Sequence, residues 1–344
     1  MKKTNLFAIL ALAATPAFLH AQTTNYSDVV GYTTLNVRAK TGAANALSFI
    51  SLNVHRPVAL KSVVGTKSLN GSGQSVVALS STLTANQFAG TGNKHYVRVT
   101  SGSNTGLISE ITANDASSIT LADNLDAVLE NGVTQFEVRP FWTLATAFPS
   151  GAGLKSGTSA SAADTLTIIN PLNGVADSYF YNSSASQWRK GITDSSAVII
   201  HPGSGILVTR KDSTAVSIVI SGEVIGTTIQ ADVAGGTASA SRWTYIANPF
   251  PAASKTLAQS GLYTGNPATG VVGGTSASAA DNVTIYNPTT GVADAYFYNT
   301  SANQWRKGIT DSSNVTIPDG AAVVITRKAN RVAFEWYIPS PVNL

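Results

Sequence analysis

The stretch TSASAADTLTIINPLNGVADSYFYNSSASQWRKGITDSSAVIIHPGSGILVTRK, residues 158–211, returns 117 residues later as TSASAADNVTIYNPTTGVADAYFYNTSANQWRKGITDSSNVTIPDGAAVVITRK, residues 275–328. The two copies align without a gap and share 37 identities in 54 positions. Each reads as a series of short β-favouring runs separated by turns. The aromatic runs YFYN and QWRK are joined by polar four-residue links at 183–186 and 300–303, the pattern of a hairpin. Pro202-Gly203 and Pro318-Asp319-Gly320 place tight turns before apolar strands. Strands are expected near 166–169, 178–182, 187–190, 198–200, 206–210 and 216–220. Their counterparts lie 117 residues on, until the last is replaced by 332–337. Two units of one design are implied, each an antiparallel β-sandwich or jelly-roll-like sheet pair.

A fainter alignment extends the unit toward its beginning at an offset of 195, setting Val30-Gly31 opposite Ile225-Gly226 and Asn53 opposite Asn248. The strong repeat resumes with Thr143-Leu144-Ala145 opposite Thr256-Leu257-Ala258, so the first copy carries about eighty extra residues. This insert has β-favouring runs at 75–80, 95–100, 107–112, 118–121 and 135–139, enough for a small barrel, with room for one helical turn at 123–130. The expected organisation is a leader at 1–21, a first sandwich built from 22–57 and 141–222, an inserted β module at 58–140, and a second sandwich at 223–344. The fold class is all-β.

Composition agrees with that class. The 344 residues are 43% hydrophobic and only 12% charged, with 29 Gly, no Cys and one Met, which fits neither charge-rich helices nor a highly charged disordered chain. Lys2 and Lys3, an apolar run at 6–19 and Ala21 before Gln22 read as an export signal, too short to span a bilayer as a helix. Removing the leader leaves 20 basic against 18 acidic residues, scattered, which is no footprint for nucleic acid. No later run of 18 apolar residues suggests a membrane span. An exported chain without cysteine has no disulfides and must rely on packing.

The order WTYIANPFP (243–251), then YFYN, then IPDGAAVVITRK (317–328) resembles the pattern of β-sandwich modules in exported bacterial surface proteins. The mature chain as a whole looks like an uncharacterised family of exported β-rich repeat proteins from verrucomicrobial-type bacteria. That resemblance implies export and β structure, and it implies no activity and no functional residues.

Chemistry is sparse. His20 falls in the leader, His201 is replaced by Pro318 in the second copy, and His55 and His95 have no His-x-x-x-His or His-x-His partner. Gly-x-Ser-x-Gly, a phosphate loop and a dinucleotide fingerprint are missing. The duplicated carboxylates Asp164, Asp177 and Asp194, with Asp281, Asp294 and Asp311, offer oxygen ligands suited to Ca²⁺, or serve as caps for turns. Tyr179, Tyr181, Trp188 and Arg189, with Tyr296, Tyr298, Trp305 and Arg306, offer flat rings and donors for a sugar, or pack a hairpin core. The leading expectation is an exported, non-enzymatic structural, adhesive or assembly protein of the envelope or exterior, with a protein or glycan partner at the cell surface. A carbohydrate-binding protein is the alternative. A hydrolase drawing on His55, His95 or Asp115 between insert and sandwich comes third.

Overall fold

The computed structural model describes residues 30–169, 175–247, 249–250, 254–287, 290–318 and 321–339. The leader, Asn248 and the turn at 319–320 lie outside the described residues. Among those described, the secondary structure is almost wholly antiparallel strand.

Alternation explains why. In Thr165–Ile169 every second side chain is buried, and Asn282–Tyr286 repeats the pattern, so one face of each strand supplies core and the other meets solvent. In the first unit these strands build a six-stranded sheet in the order Thr193–Asp194, Gln187–Lys190, Ala176–Asn182, Thr165–Ile169, Gly205–Arg210, Ala46–Ser51. The second unit repeats it with Thr310–Asp311, Gln304–Lys307, Ala293–Asn299, Asn282–Tyr286, Ala322–Arg327 and Arg242–Ala247. A two-stranded ribbon covers each sheet: Val30–Val37 with Val216–Glu223, and Ile229–Val233 with Phe334–Ile338. Leu35, Val37, Ile218 and Ile220 of the first ribbon share one core with Ile50, Leu166, Ile206 and Val208 of the sheet. Each unit is thus an unequal sandwich of six strands against two, in place of two matched sheets.

The offset of the faint alignment needs correcting from 195 to 196. Ile50 pairs with Ile206 and Ile246 pairs with Val323, and 206 and 323 are equivalent positions of the strong repeat. A slip of one residue matters because it would send every core side chain of that strand to the other face. At the corrected register Ser48 and Thr244 take the same role, each accepting through its hydroxyl from a backbone N–H at the ribbon exit, Arg38 at 2.9 Å and Ala234 at 2.9 Å. Phe49 and Tyr245 also become equivalent, and their rings stack on each other 5.5 Å apart across the junction between units.

Thr143 and Thr256 open the resumed repeat as helix caps. Each accepts a backbone N–H three residues on and starts a single turn, Leu144–Ala147 and Leu257–Gln259. The expected turn within 123–130 is one turn, with Val128 and Leu129 N–H donating to the Leu125 carbonyl.

The insert contains the five expected strands and three more. Its sheet runs Leu60–Val63, Gln135–Pro140, Asn93–Val99, Ile108–Asn114, Ser118–Leu121, Ser75–Ala78, Lys67–Leu69, with Ala89–Gly90 beside Asn93–Val99. The first and last strands on this path are halves of one bent segment, and the bend brings the ends of the sheet together. Between them Val64 N–H donates to the Thr134 carbonyl at 2.9 Å on one side, and Gly65 N–H to the Ala78 carbonyl at 3.0 Å on the other. Polar Lys61, Ser62, Thr66, Lys67 and Ser68 hid this strand from a pattern reading. A Cβ at Gly65 would stand 2.6 Å from the Ala78 carbonyl oxygen, so only glycine permits the approach. Gly65→Ala is expected to lower stability by about 1–3 kcal/mol, read as an earlier urea midpoint, whereas Gly71→Ala, in open space, should leave it nearly unchanged.

Candidate functional site

The duplicated aromatics are used up in packing. Trp188 and Trp305 are 1% and 2% exposed, and Tyr179 and Tyr296 are buried. The Trp188 indole N–H donates to the Phe148 carbonyl at 3.0 Å. Tyr181 and Tyr298 are half-buried and meet Trp188 and Trp305 edge-on at 5.7 and 5.8 Å, and Tyr298 lies 3.5 Å from the Tyr263 ring in a parallel stack. Arg189 and Arg306 are half-exposed, and Gln187 and Gln304, with their amides turned to accept, take hydrogen bonds from them. A flat stacking platform for sugar would need the indole faces in solvent, and they face the sheet interior instead.

The duplicated aspartates all find protein donors. Asp164 is 2% exposed and pairs with Arg210, and also accepts from the backbone N–H of Lys155 and Lys211 at 2.7 Å each. Asp281, fully buried, repeats this with Arg327 at 2.6 Å and the N–H groups of Val272 and Lys328. Asp177 and Asp294 pair with Lys190 and Lys307 on the surface. Asp194 and Asp311 accept from the Ser196 and Ser313 N–H at 2.9 Å, and those bonds hold both carboxyls below the usual range. Asp115, the third-ranked candidate, does the same for Ser117 and Ser118 in an exposed turn. Asp115, Asp194 and Asp311 thus take the capping role open to aspartate in turns, while Asp164, Asp177, Asp281 and Asp294 are held in ion pairs, and among the described residues no three His, Asp or Glu side chains converge as metal ligands.

Two polar clusters went unread in the sequence. The first lies where the barrel meets the first sandwich. Glu137 accepts from Arg139 Nε at 2.6 Å and from Arg98 at 3.2 Å, and Arg139 reaches Glu223 at 2.5 Å. All four side chains are at least nine-tenths buried. Arg98 also donates to the Thr228 carbonyl at 3.2 Å and to the Thr227 hydroxyl, so the segment leaving the first ribbon is tied to the barrel wall. Beside them Tyr96 Oη stands 2.9 Å from His55 Nδ1, with both rings buried. Burial, reinforced by Arg139 and Arg98, lowers the His55 pKa to about 3. The alternation in Phe136-Glu137-Val138-Arg139 marks a strand with a charged outer face, and docking buries that face. Two positive and two negative charges cancel with no access for substrate. The arrangement is a joint and does not present an acid and a base to a ligand.

His95 is likewise enclosed, its Nδ1 2.9 Å from the Asn93 carbonyl and its ring edge-on to Phe88. Burial lowers its pKa, and that of His201.

The second cluster lies on the outer face of the second ribbon. Gln230 and Asp232 sit two apart on one strand, and directly across are Tyr337 and Glu335. Asp232, open to solvent on one side, is pushed up to about 6 by burial and then by the negative charges of Glu335 and Asp123. Glu335 is raised chiefly by burial, with Asp123 adding to it. A cleft of about 420 Å³ opens beside Asp232, Glu335 and Tyr337.

Comparison with protein-family models, curated proteins and solved structures finds no match to this chain.

Replacing Asp281 with Ala leaves the Arg327 guanidinium buried without its counter-charge and is expected to cost ~3–5 kcal/mol in urea unfolding. Asp294→Ala, which breaks a surface pair, is expected to cost no more than ~1 kcal/mol. His55 supplies a pH test. The unfolded chain takes up its proton near the ordinary pKa of about 6.5, and the folded protein resists until about pH 3. The His55 contribution is therefore intact above pH 6.5 and falls away between pH 6.5 and 3, by up to ~1.4 kcal/mol per pH unit. In an NMR titration the His55 ring signals should stay at their neutral positions down to pH 4.

Proposed function

We propose that this is an exported, non-enzymatic structural or assembly protein of the cell envelope or exterior, which makes its contacts through the tips of its two repeated units. The observation that carries this reading is the exposure of Ile192 and Ile309, each 90% open at the same place in each copy. Lys190 pairs with Thr193 and Lys307 with Thr310, leaving Gly191-Ile192 and Gly308-Ile309 as two-residue hairpin turns. Glycine is suited to the first position, where φ is 62° in both. Nothing in the turn asks for isoleucine at the second, and its side chain adds nothing to either core. Burying such a side chain against a partner is worth roughly 1.5–3 kcal/mol, and two identical tips on one chain double the valency. The duplicated Trp188 and Trp305 and the duplicated Asp164 and Asp281 are, by contrast, buried within the fold.

Export rests on the leader-like residues 1–21. Among the described residues no helix is long and apolar enough to cross a membrane.

The test is an Ile192→Ser, Ile309→Ser double variant expressed in the native host. Its unfolding free energy should lie within about 0.5 kcal/mol of wild type for each exposed site, and its share in the envelope or extracellular assembly fraction should fall severalfold. A variant retained like wild type would refute the role of the tips. Wild-type protein found in the cytoplasm would refute export.

A further inference from the structure

Two carboxylates face each other across the second ribbon. Asp232 and Glu335 are direct cross-strand partners on the outer face of the second ribbon, and Asp123 of the barrel is close enough to disfavour ionisation of both. Like charges directly opposite one another weaken a strand pair. Elsewhere Glu110, Glu137, Asp164, Asp177, Glu223, Asp281 and Asp294 face a lysine or arginine, and Asp115, Asp194 and Asp311 are held by backbone N–H donors in turns. Asp232 and Glu335 have no lysine or arginine partner among the described residues, and the Glu335 carboxylate accepts from the Tyr337 hydroxyl at 3.5 Å.

A second, separate observation sits on the same face. Gln230 is 6% exposed, yet neither its amide oxygen nor its amide nitrogen has a hydrogen-bond partner. The Tyr337 hydroxyl across the ribbon lies near without closing a bond to it. The amide lines a small cavity of about 40 Å³ that Asp232 also borders, walled by Ile108 of the barrel and by His201 and Ser204 of the first sandwich. Leaving such a buried group unpaired is costly, so a ligand that reaches it is favoured.

We propose that the cleft on the outer face of the second ribbon is a binding site for an organic cation of the guanidinium or alkylammonium class, held by Asp232 and Glu335, with the Gln230 amide in the adjoining cavity that Asp232 shares as a further polar contact. The size and walls of the cleft select the class. A hard metal ion needs several oxygens converging on one point at 2.3–2.6 Å, and no three carboxylates or histidines converge here. A planar, multi-donor cation spans separated carboxylates, and the cleft beside Asp232 and Glu335, about 420 Å³, takes its apolar wall from the exposed Ala268 and Ala333. The Tyr337 ring, 41% exposed at its rim, offers a face for cation–π contact. A free amine and the side chain of a basic peptide present the same head group.

Isothermal titration of the mature protein with agmatine, with an end-blocked Ala-Arg-Ala peptide and with calcium chloride tests this. Saturable agmatine binding is expected, at least tenfold weaker in Asp232→Asn and in Glu335→Gln and unchanged in Asp115→Asn. Tighter binding of the peptide would name a protein segment as the source of the cation, and equal or weaker binding a free amine. Both neutralising variants relieve repulsion and should melt no lower than wild type, which separates loss of a ligand from loss of fold. Calcium binding without agmatine binding, agmatine binding untouched by both variants, or no saturable binding at all would each overturn the proposal. Because the titration uses purified protein, its failure leaves the reading of the hairpin tips standing.

Discussion

A guanidinium locked to a carboxylate inside each sandwich is the interaction on which the rest of the architecture leans. Arg210 and Arg327 leave the end of a central sheet strand, and Asp164 and Asp281 stand at the entry to the strand beside it. From that point each arginine also donates to the turn that leads into the ribbon, at Thr214 in one unit and Val332 in the other. Each aspartate accepts from the loop on the far side, at Lys155 and Val272. One ion pair therefore ties loop, sheet and ribbon together. Burying the charges is tolerable because nearly every remaining donor and acceptor is satisfied nearby.

The same principle recurs at a larger scale. The barrel docks on the first sandwich through Arg98, Glu137, Arg139 and Glu223, a balanced set whose desolvation is offset by mutual contacts and by the backbone at Arg56 and Thr228. Charges are scarce in this chain, and a good part of them is spent where modules join. The result is an insert held at a defined orientation through polar contacts that only a correct fit can satisfy. The two sandwiches meet differently, through rings at equivalent edge positions, Phe49 and Tyr245, with Tyr286 against Phe49 at 4.3 Å.

Against this background the ribbons diverge. The outer face of the first carries Val30, Tyr32 and Val219, all well exposed. The outer face of the second carries Gln230, Asp232, Glu335 and Tyr337 and looks into the crevice beside the barrel. Duplicated sheets supplied two copies of one scaffold, and the insert, present once, made their surroundings unequal. The structural difference between the copies therefore lies in the ribbons, whose strands fall outside the block of near-identity.

By itself the sequence determined the β class, the repeat and most strands within it, because apolar alternation and turn residues act over a few neighbours and are written locally. The aromatic hairpins and the capping aspartates were legible for the same reason, including the burial of Trp188 and Trp305 as one of two open readings. Tertiary structure alone decided the register offset of 196, the bent strand through Gly65 that closes the barrel, and the two polar clusters. Arg98, the Glu137–Arg139 pair and Glu223 are far apart along the chain, and the alternating pattern of residues 136–139 gives no sign that a second module covers that face. Asp232 and Glu335 lie about a hundred residues apart and become neighbours only when the last strand returns to pair with the first of its unit. Long-range pairing fixes which charges meet, and local pattern carries no record of it.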